Sequence, residues 1–239
     1  MGLVRYIAPL LFIIAVPIAL ITTNVRLAVN EPRIYEYVTD EYDTPQKTGI
    51  EREELLRASG ELRDYFNSDS EWRDIFVRKD GQRIRLFSDR EAAHLRDVKT
   101  LFQGSFRVQE ATVIFVLVYV VAVFIWARES SLRALATQLL LSGLLSLALI
   151  GGVGAVAVTG FEESFEQFHL IAFDNDFWLL DPSRDRLIQM FPETFWRDIS
   201  LWVGIGTLVE LASLAGLAAV YLGLTRRSTF PYDGLPKGA

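Results

Sequence analysis

Cysteine is missing altogether from the 239 residues. That excludes thiol catalysis, disulfides and thiolate metal sites, and it removes the usual residue clue to redox compartment. Histidine is nearly missing: His94 and His169 are the only two. No basic tract occurs, no Lys or Arg cluster is interleaved with aromatics, and the formal net charge is −6, so a nucleic-acid surface is excluded. There is no His-Glu-x-x-His zinc pattern, no Gly-x-Ser-x-Gly nucleophile elbow and no Walker loop. Internal repeats and low-complexity segments are lacking too; only the tail from Arg226, with Pro231, Gly234 and Pro236, has the composition of a disordered segment.

What the chain has in quantity is apolar surface: 51% hydrophobic residues and a mean hydropathy of +0.24. A helix rises about 1.5 Å per residue and a hydrocarbon core is about 30 Å thick, so roughly 18 or more apolar residues make a span. The runs 7–22, 111–127, 134–158 and 201–224 qualify or nearly do, and the first two are expected to lengthen into their flanks. The first run is read as a retained helix with Pro17 as a kink site, because no small-x-small cleavage site closes it.

Positive charge at helix ends marks the cytoplasmic side. Arg5, the pair Arg128 and Arg133, and the pair Arg226 and Arg227 fall on one side of a four-span chain, which places both termini in the cytoplasm. The expected layout is a first span at 1–23, an extracytoplasmic cap at 24–110, two spans at 111–158, an extracytoplasmic loop at 159–200, a last span at 201–225 and a cytoplasmic tail at 226–239. The cap carries 18 acidic and 15 basic residues and the second loop 9 acidic and 3 basic.

The cap is expected to fold. Residues 51–66 space Leu55, Leu56, Leu62 and Phe66 like an amphipathic helix. Residues 75–87 read as a hairpin about Asp80-Gly81, since Asp-Gly supplies the positive φ values of a type I′ turn. Ser88 to Glu91 has the capping-box pattern and starts a helix carrying His94, Asp97, Val98, Leu101 and Phe102. The fold class is therefore an all-α membrane protein of four transmembrane helices, with a mainly helical extracytoplasmic cap containing a small β-hairpin.

Histidine is the one side chain whose ordinary pKa, about 6.5, lets it exchange a proton near neutrality. His94 has Glu91 at i−3 and Asp97 at i+3, either able to orient the ring. His169 follows the stripe Phe161, Phe165 and Phe168, and precedes a stretch that sets Asp174, Asn175, Asp176 and Asp181 among Phe173, Phe177 and Trp178. Carboxylates and an amide among rings beside the membrane suit an amphiphile whose head meets polar groups and whose tails meet aromatics. A lipid-facing aromatic belt accounts equally well for Trp178, Phe195, Trp196 and Trp202. A surface or core role for each histidine, a two-histidine haem, and a metal held by the histidines with loop carboxylates are the other readings. Glu210, about ten residues into the last span, is costly in hydrocarbon by about 2.5–3.5 kcal/mol and is expected to face the bundle with Gln138 or Ser142. Gly151, Gly152, Gly154, Gly204 and Gly206 are expected to permit close helix packing.

Three stretches resemble a known family: His94-Leu95-Arg96-Asp97-Val98-Lys99; Phe168-His169 with Phe173 and Asp176-Phe177-Trp178-Leu179-Leu180-Asp181-Pro182; and Asp185, Leu187-Ile188 and Phe191-Pro192-Glu193. The chain is similar over nearly its whole length to a bacterial four-helix membrane family that includes Lit, the lipoprotein intramolecular transacylase. The resemblance implies catalysis by His94 and His169; as supporting residues, Asp97, Asn175 or Asp176 is expected within hydrogen-bond reach of one ring. It implies a substrate, a lipoprotein with an N-terminal diacylglyceryl-cysteine, and a reaction that moves the sn-2 acyl chain to the cysteine α-amine and leaves a lyso-form product. It implies residence in the bacterial cytoplasmic membrane with the site outside, and no cofactor or metal. The alternative is a non-enzymatic membrane module that binds a lipid or a partner and senses pH through its histidines.

Overall fold

The computed structural model describes residues 4–125 and 129–225. Arg128, Arg226, Arg227 and the tail lie outside them. In chain order the elements are α1 (Val4–Asn30), α2 (Pro32–Glu41), α3 (Thr44–Thr48), α4 (Arg52–Phe66), β1 (Phe76–Lys79), β2 (Gln82–Arg85), α5 (Asp89–Ile125), α6 (Glu129–Thr159), α7 (Phe161–Ala172), α8 (Arg186–Met190) and α9 (Glu193–Leu224).

Four helices, α1, α5, α6 and α9, are long and apolar enough to cross a membrane. Their contacts show alternating direction. Along α1, Phe12 stacks on Tyr119 of α5, while Arg26 at the other end of α1 bonds Gln109 and pairs with Glu110 at 2.8 Å. Along α6, Arg133 donates to the Thr225 carbonyl at the end of α9, and Gly204 of α9 lies against Ile150. Arg133 thereby satisfies a carbonyl left open at the C-terminus of α9, where the helix dipole also favours a cation. The start of α1, the end of α5, the start of α6 and the end of α9 thus share one face, and the cap lies on the other.

The expected helix boundaries were too short. The first span and the segment after it are one helix through Asn30, and the short helix carrying His94 is continuous with the second span as a single 37-residue helix. Nothing between Asp89 and Ile125 breaks it, since that stretch has no proline and its polar residues are helix-compatible. In the cap, α4 buries Leu55, Ala58, Ser59, Leu62 and Phe66, a helical stripe; Leu56 lies beside it, half-buried. The hairpin forms as expected, with Val77 opposite Ile84 and positive φ at Asp80 (52°) and Gly81 (77°). Glu54 of α4 accepts the Arg78 amide at 2.9 Å, fixing the hairpin to that helix.

Two expectations about the spans are corrected. Glu210 does pair, but with Asn24 of α1 (2.9 Å), whose amide also reaches Thr207 (3.0 Å). Gln138 accepts instead from Tyr119, and Ser142 donates to the Ile13 carbonyl. Among the glycines of the spans the tightest approach is at Gly143, where a Cβ would stand 3.0 Å from that of Ala215; at Gly204 and Gly206 it would meet Ile150 and Asn24 at 3.7 and 3.9 Å, and at Gly151, Gly152 and Gly154 nothing within 4 Å. The aromatic belt is corrected as well. Phe195 is buried in the cap core with Trp196 packed against it, and of the four rings only Trp202 is an exposed large hydrophobic.

Candidate functional site

The site begins where the capping box starts α5. The Ser88 amide donates to Glu91 Oε2 (2.7 Å) and the Glu91 amide to Ser88 Oγ (3.3 Å). Glu91 is 2% exposed, and its other oxygen accepts the Leu187 amide at 2.7 Å. One carboxylate therefore ends a helix and ties down a segment almost a hundred residues away. Arg186 adds bonds to the carbonyls of Arg85 (2.9 Å) and Leu86 (3.1 Å), Asn175 donates to Asp97 Oδ2 (3.0 Å), and Arg90 donates to the Asp176 carbonyl. These bonds hold the segment after α7 against the first turns of α5.

The consequence is that the two histidines meet. Their ring centroids are 6.0 Å apart, and they are only 8% and 7% exposed. Phe173 touches both, 5.2 Å from His94 and 5.6 Å from His169; Phe165, Phe168 and Trp178 complete the wall around His169 at 4.4, 5.3 and 4.9 Å. Phe173 and Trp178, two of the rings that suggested an amphiphile site, are thus packed on an imidazole.

The ring nitrogens differ. His169 Nδ1 lies 2.7 Å from the Phe165 carbonyl. A carbonyl only accepts, so the neutral ring carries its proton on Nδ1 and leaves the Nε2 lone pair free. His94 Nδ1 is buried with no partner. The expectation that Asp97, Asn175 or Asp176 would hydrogen-bond a ring is not met among the described residues: Asp97 and Asn175 bond each other, and Asp176 uses its carbonyl on Arg90. Burial pushes the His94 pKa down to about 4, helped by His169 and opposed by Asp97. Burial also lowers that of His169, against the Phe165 bond. Both rings are therefore neutral at pH 7, one with an open basic nitrogen.

Lys99, in the same sequence stretch as His94, has a structural task. It is buried, donates to the Ser70 carbonyl (2.6 Å) and sits 4.1 Å over the Tyr65 ring, fixing the loop before the hairpin onto α5. The bridge from Glu91 to Leu187 was not foreseen. The capping box revealed one oxygen of Glu91, and no local pattern announces the partner of the other. Among the described residues no three His, Asp or Glu side chains converge to hold a metal ion.

A family model described as lipoprotein intramolecular transacylase Lit matches residues 10–196. An uncharacterized protein of Aquifex aeolicus (strain VF5) is 28% identical over 221 residues, which is 92% of this chain and 94% of its own. The in meso structure of the membrane integral Lit from Bacillus cereus is similar with a TM-score of 0.76 at 20% identity, covering 94% of this chain and 100% of that one. A variant of that protein with a histidine replaced by alanine gives 0.70 over 93% and 95%, also at 20% identity. At this identity the likeness is one of fold.

Proposed function

The chain belongs to the Lit family of lipoprotein intramolecular transacylases, and from that membership we propose that it moves the sn-2 acyl chain of an N-terminal diacylglyceryl-cysteine to the cysteine α-amine, using His94 and His169. The observation that carries this reading is the pair of buried imidazoles with centroids 6.0 Å apart. A membrane module that merely bound a partner has no need to bring its only two histidines together in an aromatic pocket.

The chemistry needs few groups. Donor ester and acceptor amine belong to one molecule, and holding them in attack geometry supplies on the order of 7–11 kcal/mol in favourable cases. An α-amine of pKa about 7.7 arrives mostly as an ammonium and must lose a proton before it attacks. That first proton leaves to the buffer, and His169 Nε2, with its free lone pair, takes a second as the nitrogen bonds to the acyl carbon. His94 donates to the developing oxyanion as a neutral ring, a role that its depressed pKa favours. The bond from acyl carbon to glyceryl oxygen then breaks, and His169 returns the proton to that oxygen. Of the neutral amine's two protons one stays on the amide and one ends on the glyceryl hydroxyl, so no water, nucleotide or metal enters the balance.

The cap side is the extracytoplasmic side of the bacterial cytoplasmic membrane in this reading, supported by the placement of Arg5, Arg133, Arg226 and Arg227 in the sequence. The test is tandem mass spectrometry of a synthetic diacylglyceryl lipopeptide incubated with the purified protein. Intramolecular transfer makes an isomer, so the intact mass stays constant while an acyl group moves to the N-terminal fragment. Loss of one fatty acid would mean hydrolysis instead, and an unchanged fragment pattern would refute the proposal.

A further inference from the structure

Gly104 lies in the middle of α5, where glycine costs about 1 kcal/mol relative to alanine. A Cβ built there meets no atom within 4 Å, so no packed neighbour requires the glycine. What lies beside it is space: a groove of about 540 Å³ whose walls include Asp97, Leu101, Gly104, Ser105, Phe173 and Asn175. His94, Asp97, Leu101, Gly104 and Ser105 are spaced to share one face of the helix, so the groove continues the face that carries the catalytic candidate, toward the membrane span.

The two ends of the groove differ in chemistry. At the histidine end stand Asp97 and Asp174, carboxylates that complement an incoming ammonium, with the Asn175 amide between them. Phe173 lines the groove and also touches both imidazoles. Farther down the helix, roughly 10–16 Å from His94, Leu101, Gly104 and Ser105 make a wall of mostly small groups. An acyl chain rising from the bilayer to an ester held at the histidines follows this course.

Building on the transacylase reading, we propose that this groove is the subsite for the transferred sn-2 acyl chain and that Gly104 is a specificity-determining residue, its missing side chain setting the chain length that fits. A bulky group at Gly104 fills the lower groove and leaves the histidine end open. Short chains then still react and long ones do not.

The experiment compares lipopeptides that differ only in the sn-2 chain, octanoyl or hexadecanoyl, with the full-length protein in detergent. For Gly104→Phe the expected result is a fall in kcat/KM of at least about tenfold for hexadecanoyl and less than about twofold for octanoyl, the range by which pocket fit discriminates. Thr100→Trp, at an exposed position on the same wall, changes the ratio in the same direction and stands in if Gly104→Phe does not fold. Gly104→Ala shifts the ratio in the same direction by less, since a methyl group takes up only the edge of the groove. Equal loss for both chains, or no loss for either, in a folded variant overturns the assignment. Wild-type protein inactive on both substrates would instead sink the transacylase reading itself.

Discussion

Glu91 Oε1 accepts the amide of Leu187 at 2.7 Å, joining the first turn of α5 to the start of α8 through a carboxylate sealed from solvent. Because its other oxygen serves Ser88, Glu91→Ala strands two amides at once. Ser88 is exposed, so water takes over its amide, and the expected loss is that of the buried Leu187 amide, on the order of 1–3 kcal/mol. Thermal unfolding of the detergent-solubilised variant measures it, together with a loss of activity as the second histidine segment loosens. A loss well below about 1 kcal/mol would show that water replaces the carboxylate.

His94→Ala and His169→Ala should each abolish formation of the N-acyl isomer, while helical content stays native. The double variant should be scarcely slower than either single one, because groups acting as one unit are strongly non-additive. Activity surviving in both single variants would make the rings structural and turn attention to the loop carboxylates.

The pH dependence follows from the depressed histidines. Both rings must be neutral, and burial holds His94 at about 4 and His169 below its ordinary value. Beneath the limb that the substrate amine sets at about pH 7.7, the histidine limb of the kcat profile is therefore expected clearly below pH 6.5, lower than an ordinary histidine would place it. Asp97 raises the His94 value, so Asp97→Asn moves the His94 titration lower still. A second acid limb at about pH 6.5, separate from that of the amine, is the contrary result.

Stability is linked to the same shift. Between about pH 6.5 and 4 the unfolded chain binds a proton at residue 94 that the folded chain does not. Acidification through that window therefore destabilises the fold, by at most about 3 kcal/mol. Wild-type protein should lose more than His94→Phe when melting is compared at pH 7 and pH 4.5. Identical losses would mean that the folded ring protonates normally.

A reporter fused after Lys237 is expected to report the cytoplasm, and one inserted at Gly49 the opposite side. Gly49 ends α3 on the cap face of the bundle. The same side for both would contradict a four-span arrangement.

Much of this molecule could be read locally. Four apolar runs, the Asp80-Gly81 turn and the Ser88–Glu91 box each depend on a few neighbouring residues, and all three appear in the structure. The family resemblance also rested on short stretches, and the match over residues 10–196 bears it out. Helix ends were less legible: hydropathy stops at the membrane surface, whereas hydrogen bonding along α1 and α5 continues into the cap. The partners of Glu210 and the site of close helix approach were misread because helix facing depends on rotation, which a nearly uniform apolar surface does not encode.

The sequence alone determined that this chain enters a membrane, that its cap is folded, and that only two of its side chains, His94 and His169, have an ordinary pKa near neutrality, since composition and local periodicity suffice for each. Only the tertiary structure decided that the two rings meet, that Asp97 pairs with Asn175 and not with an imidazole, and that a groove passes Gly104. Those outcomes rest on hydrogen bonds between residues far apart in the chain, such as Glu91 with Leu187, and on burial, which sets the protonation of the rings by removing water.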